Sequence, residues 1–217
     1  MERQRTSFSE HTPGKFQFLV NEALAAGAAG AKIIPADTIA VENRVRMKCS
    51  SGCPSYGKSL ACPPYAMTPD EFRACLSEYT AALIVKFRSA AVFGPDIRSC
   101  YLRARYDPGA PPEQKESAER FRHEISEHNR ELNGIMLGLE RSAFNAGFPF
   151  AVATACGTCG LCEKCNTENG CCNHPTLRRF APEALGINVI QTAEDAGMPI
   201  RFPAPEVPER IAILLIE

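Results

Sequence analysis

Residues 150–175 read Phe-Ala-Val-Ala-Thr-Ala-Cys-Gly-Thr-Cys-Gly-Leu-Cys-Glu-Lys-Cys-Asn-Thr-Glu-Asn-Gly-Cys-Cys-Asn-His-Pro. The opening Phe150–Thr154 is a short apolar, β-prone run, expected to be a strand that feeds straight into a cysteine-rich loop. That loop holds six cysteines: Cys156, Cys159, Cys162, Cys165, Cys171 and Cys172. The first four are each separated from the next by two residues, a gap that lets the chain turn back so that both sulfurs face one metal centre. Gly157, Gly160 and Gly170 supply backbone freedom for such wrapping. The stretch therefore predicts a metal-binding loop hung from a strand.

Eleven cysteines in 217 residues need an explanation that disulfides do not give. Their number is odd, and their close spacing suits metal thiolates better than a disulfide framework. No apolar N-terminal run reads as a signal peptide, and no uninterrupted apolar stretch is long enough to span a bilayer. The expected location is the cytoplasm, where thiols stay reduced. A formal net charge of −1 offers no case for nucleic acid or an anionic membrane as a partner. No phosphate-binding glycine loop, Ser/His/Asp set or paired-carboxylate signature is present, so hydrolysis and nucleotide binding have no independent support.

Zinc commonly takes four thiolates from two knuckles well separated along the chain. Here Cys159, Cys162 and Cys165 are equally spaced, and Cys172 comes shortly before Pro175. Three closely spaced thiolates each take a different iron of a cubane, and a later cysteine closes the fourth corner, a pattern that resembles the iron–sulfur loop of bacterial ferredoxins. The register stays open, because Cys156 can replace Cys165 among the three, and Cys171 and His174 also lie within reach. An earlier Gly/Pro-rich loop carries Cys49, Cys53 and Cys62. It is expected to form a second metal group or to share one, with its fourth ligand drawn from elsewhere, Cys156 or Cys171 being candidates. Cys75 and Cys100 read as packing residues, and His11, His123 and His128 as surface residues. Tyr56, Lys58, Arg178 and Arg179 flank the two loops, where their donors suit cluster sulfurs or a partner.

Around these loops the pattern gives an α/β or α+β fold: a small mixed sheet with flanking helices, one of them long. Helices are expected over Phe16–Ala29, from Pro69 to Tyr79 behind a Thr68 cap, and from Pro112 to Asn145. Residues 36–48 lean towards helix. Strands are expected at 31–35, 81–87, 150–154 and 210–216, with 187–190 strand-like and Thr192–Gly197 a short helix. Residues 88–110 read as irregular and 202–208 as a proline-rich connection. Residues 1–14 are expected to be a flexible leader and 15–217 a single metal-binding domain, with cysteine loops at 49–64 and 156–175.

Cys49-x3-Cys53-Pro-Ser-Tyr56-Gly57-Lys58, then Cys62-Pro-Pro-Tyr65 and Thr68-Pro-x-Glu-Phe, resembles a family described as predicted metal-binding proteins, a domain of unknown function. The second half is similar as well, through Cys159-x2-Cys162-x2-Cys165, Cys172-Asn-His-Pro175 and Glu183-Ala-Leu-Gly186-Ile-Asn-Val189. The resemblance runs over roughly residues 35 to 200. It implies Cys159, Cys162, Cys165 and Cys172 as one ligand set, with Cys49, Cys53 and Cys62 as a second group. Two departures stand out: Asn173 occupies a position that is typically basic in the family, and Cys171 is an addition. The function expected first is a protein of one or two 4Fe–4S clusters that relays electrons to a redox partner. A structural zinc or other metal-binding interaction module comes second. An enzyme working at an incompletely ligated cluster on the first loop comes third.

Overall fold

In the computed structural model of the chain, the residues described are 8–9, 11–53, 55–89, 92, 103–104, 107–201 and 207–216. Cys100, most of the irregular 88–110 stretch and most of the 202–208 connection lie outside them. Helices α1 (Thr12–Lys15) and α2 (Gln17–Ala25) precede strand β1 (Gly30–Pro35). Then come α3 (Asn43–Ser50), α4 (Pro69–Leu76), β2 (Ala81–Arg88), the long α5 (Pro112–Asn145) and β3 (Val152–Ala153). Helix α6 (Val189–Asp195) and β4 (Glu209–Ile216) complete the chain. The strands form one sheet in the order β1-β2-β4-β3. Every pairing in it is antiparallel, so the fold is α+β and the sheet is not mixed.

The two central strands, β2 and β4, are apolar at nearly every position because both faces of the sheet are covered. Leu83, Val85, Leu214 and Ile216 face α2 and α5, where they pack with Leu19, Met136 and Leu139. Ile84, Ile213 and Leu215 face the other way, onto Phe72 and Leu76 of α4 and onto Ile187 and Ala193. The register sets Leu83 opposite Leu214 and Ile84 opposite Ile213, so each layer of side chains is continuous across the strand pair. Phe16 adds an edge-on contact with Phe148 at 5.0 Å between ring centroids.

Local chemistry accounts for the element ends. Thr68 caps α4 in a reciprocal capping box with Glu71, and Pro69 occupies the first turn. Asn188 caps α6, so Val189 and Ile190 begin a helix, in place of the expected strand-like run at 187–190. Only Ile187 keeps β character, in an isolated bridge to Val41. The helix expected over 36–48 is divided: Ala36–Thr38 forms one 3₁₀ turn, and α3 begins at Asn43. Glu42 donates its backbone N–H to the Gly186 carbonyl at 2.8 Å, and this extended link interrupts the helix. Gly186 ends the 3₁₀ turn Pro182–Leu185 with φ +86°. A Cβ there would lie 2.8 Å from the Pro69 ring, so only glycine meets both demands.

These contacts carry two stability predictions. Gly134 lies within α5, and a Cβ placed there meets nothing within 4 Å. Gly134→Ala is therefore expected to stabilise the protein by about 0.5–1 kcal/mol, read as a higher denaturation midpoint at unchanged m-value. At the start of β4, Glu209 pairs with Lys86 at 3.0 Å and accepts the Arg201 N–H at 3.2 Å. Burial alone raises the Glu209 pKa, but the donors from Lys86 and Arg201 prevail and hold it below the usual carboxylate value. A depressed folded-state pKa gives stability that is present above the unfolded-state value, about pH 4, and is lost as pH falls through the folded value. Glu209→Gln is expected to flatten that acid-side loss, as measured by denaturation across the acid range.

Candidate metal centre

The second cysteine loop is suspended between fixed ends. Thr154 donates its backbone N–H to Ile213 O at 2.7 Å, and its hydroxyl accepts the Ile213 N–H at 2.8 Å. One residue on, Ala155 N–H reaches Phe180 O at 2.8 Å and closes the base of the loop. Helix α5 supplies the clamp. Glu140 accepts the Ala153 N–H and the Arg179 Nε–H, each at 2.7 Å, and a second Arg179 N–H meets its other oxygen. One carboxylate thus holds both the entry and the exit of the loop, and the paired side chains are each less than one-fifth exposed. Asn133 accepts the Cys156 N–H at 2.6 Å. Asn129, one turn earlier on α5, is buried against Gly157, whose φ is +72° and whose hypothetical Cβ would sit 2.7 Å from the Asn129 amide nitrogen.

The first loop hangs from the C-terminal end of α3, which carries Cys49. Cys53 N–H bonds back to Cys49 O at 3.3 Å, and Tyr56 N–H to Cys53 O at 3.1 Å. Arg46 donates to Met67 O at 2.6 Å and so ties the far side of this loop to α3. The two loops meet directly. Leu60 N–H points at Cys165 Sγ at 3.4 Å, and Arg178 donates to Leu60 O at 3.0 Å.

Backbone donors are already aimed at the sulfurs of the second loop. Cys165 accepts from Leu60, and Cys172 from His174 N–H at 3.4 Å. Such N–H···S bonds orient a thiolate and disperse its charge. Three of these thiols, Cys159, Cys62 and Cys49, resist ionisation. Burial raises the pKa of Cys159, and repulsion from Cys172, Cys165 and Cys162 adds to it. Cys62 is pushed up to about 11 by burial, against a hydrogen bond from Ser59, with Cys53, Cys49 and Cys159 contributing further repulsion. Cys49 is raised by burial and then by Cys53 and Glu183, with Arg46 opposing. The Leu60 N–H on Cys165 sets the first loop against the second. A cationic centre reverses these costs, because it ligates the thiolate and releases the proton. The chemistry of the donor set fits such a centre.

The other predicted ligands are placed differently. Cys156 is 1% exposed and packs in the core with Leu132 and Met136. Burial pushes its pKa up to about 12, and its charged neighbours are Arg210 and Glu183, not another cysteine. Cys171 and Cys75 are exposed. His174 contributes its backbone to Cys172, and its side chain stands in solvent. Arg178 and Arg179 hold the loop instead of facing sulfur. Among the described residues, no group of three or more His, Cys, Asp or Glu side chains is placed to hold a single metal ion.

These features agree with the family comparison. A family model described as predicted metal-binding protein (DUF2284) matches residues 32–216. The chain belongs to this family. The match takes in both cysteine loops and all four strands but β1's first two residues. No curated protein and no solved structure matches the chain at a significant level. Among the described residues, no helix of this family member is long and apolar enough to cross a membrane.

Asn129, Asn133 and Glu140 were not legible as site residues, since they lie on a helix whose periodicity reads as plain core packing. A signal was present nonetheless: Asn129 falls within the apolar stripe formed by Phe121, Ile125, Leu132 and Met136, and an amide there needs a partner.

Proposed function

We propose that this DUF2284 protein holds a 4Fe–4S cluster on Cys159, Cys162, Cys165 and Cys172 and relays electrons to a partner protein in the cytoplasm. The observation that carries this reading is the pair of backbone N–H groups directed at Cys165 and Cys172. Both sulfurs belong to a loop whose equally spaced Cys159, Cys162 and Cys165 suit one thiolate per iron. Four thiolates on one zinc, each about 2.3 Å from the metal, close on a common point, whereas a cubane takes its sulfurs at separate corners, for which the equal spacing of Cys159, Cys162 and Cys165 is suited.

When bound, a 4Fe–4S cluster supplies one-electron redox chemistry. The rest is the work of the chain. Glu140 and Asn133 fix the loop, and the amides of Leu60 and His174 balance thiolate charge on Cys165 and Cys172. Cys49, Cys53 and Cys62 are the proposed seat of a second group. Their three-thiol composition is also what the enzymatic alternative requires, namely an iron with one position open to substrate.

The test is a mediated redox titration of protein purified without oxygen. Reversible bleaching of visible absorption, with a paramagnetic signal in the reduced state, is expected. A colourless protein with no redox response contradicts the reading and leaves the structural zinc module.

A further inference from the structure

An open cleft of about 530 Å³ is walled by the first loop and by α5 and floored by residues 158–165, so that Cys159, Cys162 and Cys165 line it and a metal on these thiols would share it. That volume lies within the range of sites for small molecules. Its walls carry Lys58 from the first loop and Arg122 and Arg130 from α5, against Glu163 as the acidic group of the lining. Ser55, Ser126 and Thr158 add hydroxyl donors.

The availability of the cations differs. Arg122 is engaged with Glu119. Arg130 lies 3.8 Å from Glu127, an ion pair too long to be a hydrogen bond. Lys58 is exposed and pairs with no acid among the described residues. Position matters as much as charge. Arg130 and Ser126 pack against Gly160, where a Cβ would meet Arg130 Cγ at 3.3 Å and Ser126 Oγ at 3.4 Å. Cys165 and Cys172 draw their hydrogen bonds from backbone N–H groups, while Lys58, Arg130, Ser55, Ser126 and Thr158 line the cleft. Cations from two elements and hydroxyls from three segments, converging on one concavity, form the recognition pattern of an oxyanion.

We infer that this cleft binds a small molecule bearing a phosphate or carboxylate group, next to the cysteine loop. The inference depends on the folded loop and not on which metal fills it.

The test is calorimetric titration of the full, metal-loaded chain without oxygen, using inorganic phosphate and, separately, succinate at fixed ionic strength. The expected result is one saturable site per chain for at least one of the two, and the preferred anion identifies the class. Lys58→Ala and Arg130→Gln, which keeps the stem packed on Gly160, are each expected to weaken binding about tenfold. Their metal content and visible spectrum are expected to stay unchanged. Failure of both anions to saturate, or binding indifferent to both substitutions, overturns the inference. Saturable binding by a chain carrying zinc and no iron upholds the cleft while removing the cluster reading. An iron-loaded chain that binds neither anion does the reverse.

Discussion

Replacing Cys159, Cys162, Cys165 or Cys172 by serine is expected to lower bound iron by about four atoms per chain, one cubane, with matching loss of sulfide and colour. The effect is large because each of these thiols occupies a distinct corner of the proposed set and neither of the other two thiols of this loop stands ready. Cys156 is committed to the core, where burial pushes its pKa to about 12. Cys171 is exposed and its neighbour Cys172 already receives the His174 N–H. Cys75→Ser and Cys171→Ser are therefore the controls, and both are expected to retain full iron. Cys156→Ser separates packing from ligation: it is expected to lower stability with iron content preserved in the folded fraction. Colorimetric iron and sulfide assays on anaerobically purified variants check all of these, and full iron in a Cys162→Ser or Cys165→Ser protein would count against the assigned ligand set.

Glu140→Ala is expected to destabilise the protein by about 2–4 kcal/mol and to loosen the metal loop at the same time. The substitution removes the carboxylate partner of Arg179 and the acceptor of the Ala153 N–H, leaving a largely buried guanidinium with only the Thr176 and Arg178 carbonyls and a backbone donor unpaired. Breaking a buried pair from one side costs more than the pair itself contributes, since the remaining charge has lost its solvent and its partner. Chemical denaturation measures the stability loss. Faster iron release to a chelator at neutral pH measures the loosening. Glu140→Gln distinguishes charge from geometry, because the amide oxygen still accepts one N–H while the ion pair is gone, and it is expected to fall between the wild-type protein and Glu140→Ala. An unchanged denaturation midpoint in Glu140→Ala would show that the loop does not depend on this clamp.

How far the sequence speaks depends on whether the information is local. Helix α5 was legible end to end, because Phe121, Leu132, Met136 and Leu139 keep a helical period and Pro112 and Gly147 bound it. Strands β2 and β4 were legible as unbroken apolar runs, and the reason emerges in the structure as two covered faces. Strand β3 is shorter than its pattern, since Thr154 pairs with Ile213 through its hydroxyl and turns the chain into the loop. Residues 43–48 are helical as expected, but the break before them was not legible, because the link from Glu42 to Gly186 joins segments far apart in sequence. Likewise, cysteine spacing marked the metal loop, but nothing local told Cys156 from Cys159. That difference is one of burial, set when the chain folds Cys156 under α5. The antiparallel order β1-β2-β4-β3 is equally non-local, because β4 inserts between β2 and β3 from the far end of the chain.

The central claim, that the cysteine loop of this DUF2284 protein holds an iron–sulfur cluster, is tested most directly by iron, sulfide and zinc analysis of protein purified without oxygen, alongside its visible spectrum. The account predicts about four irons per chain, or about eight if the first loop is also filled, with equal sulfide and a coloured protein. One or two zinc atoms per chain, no sulfide and no colour would contradict it.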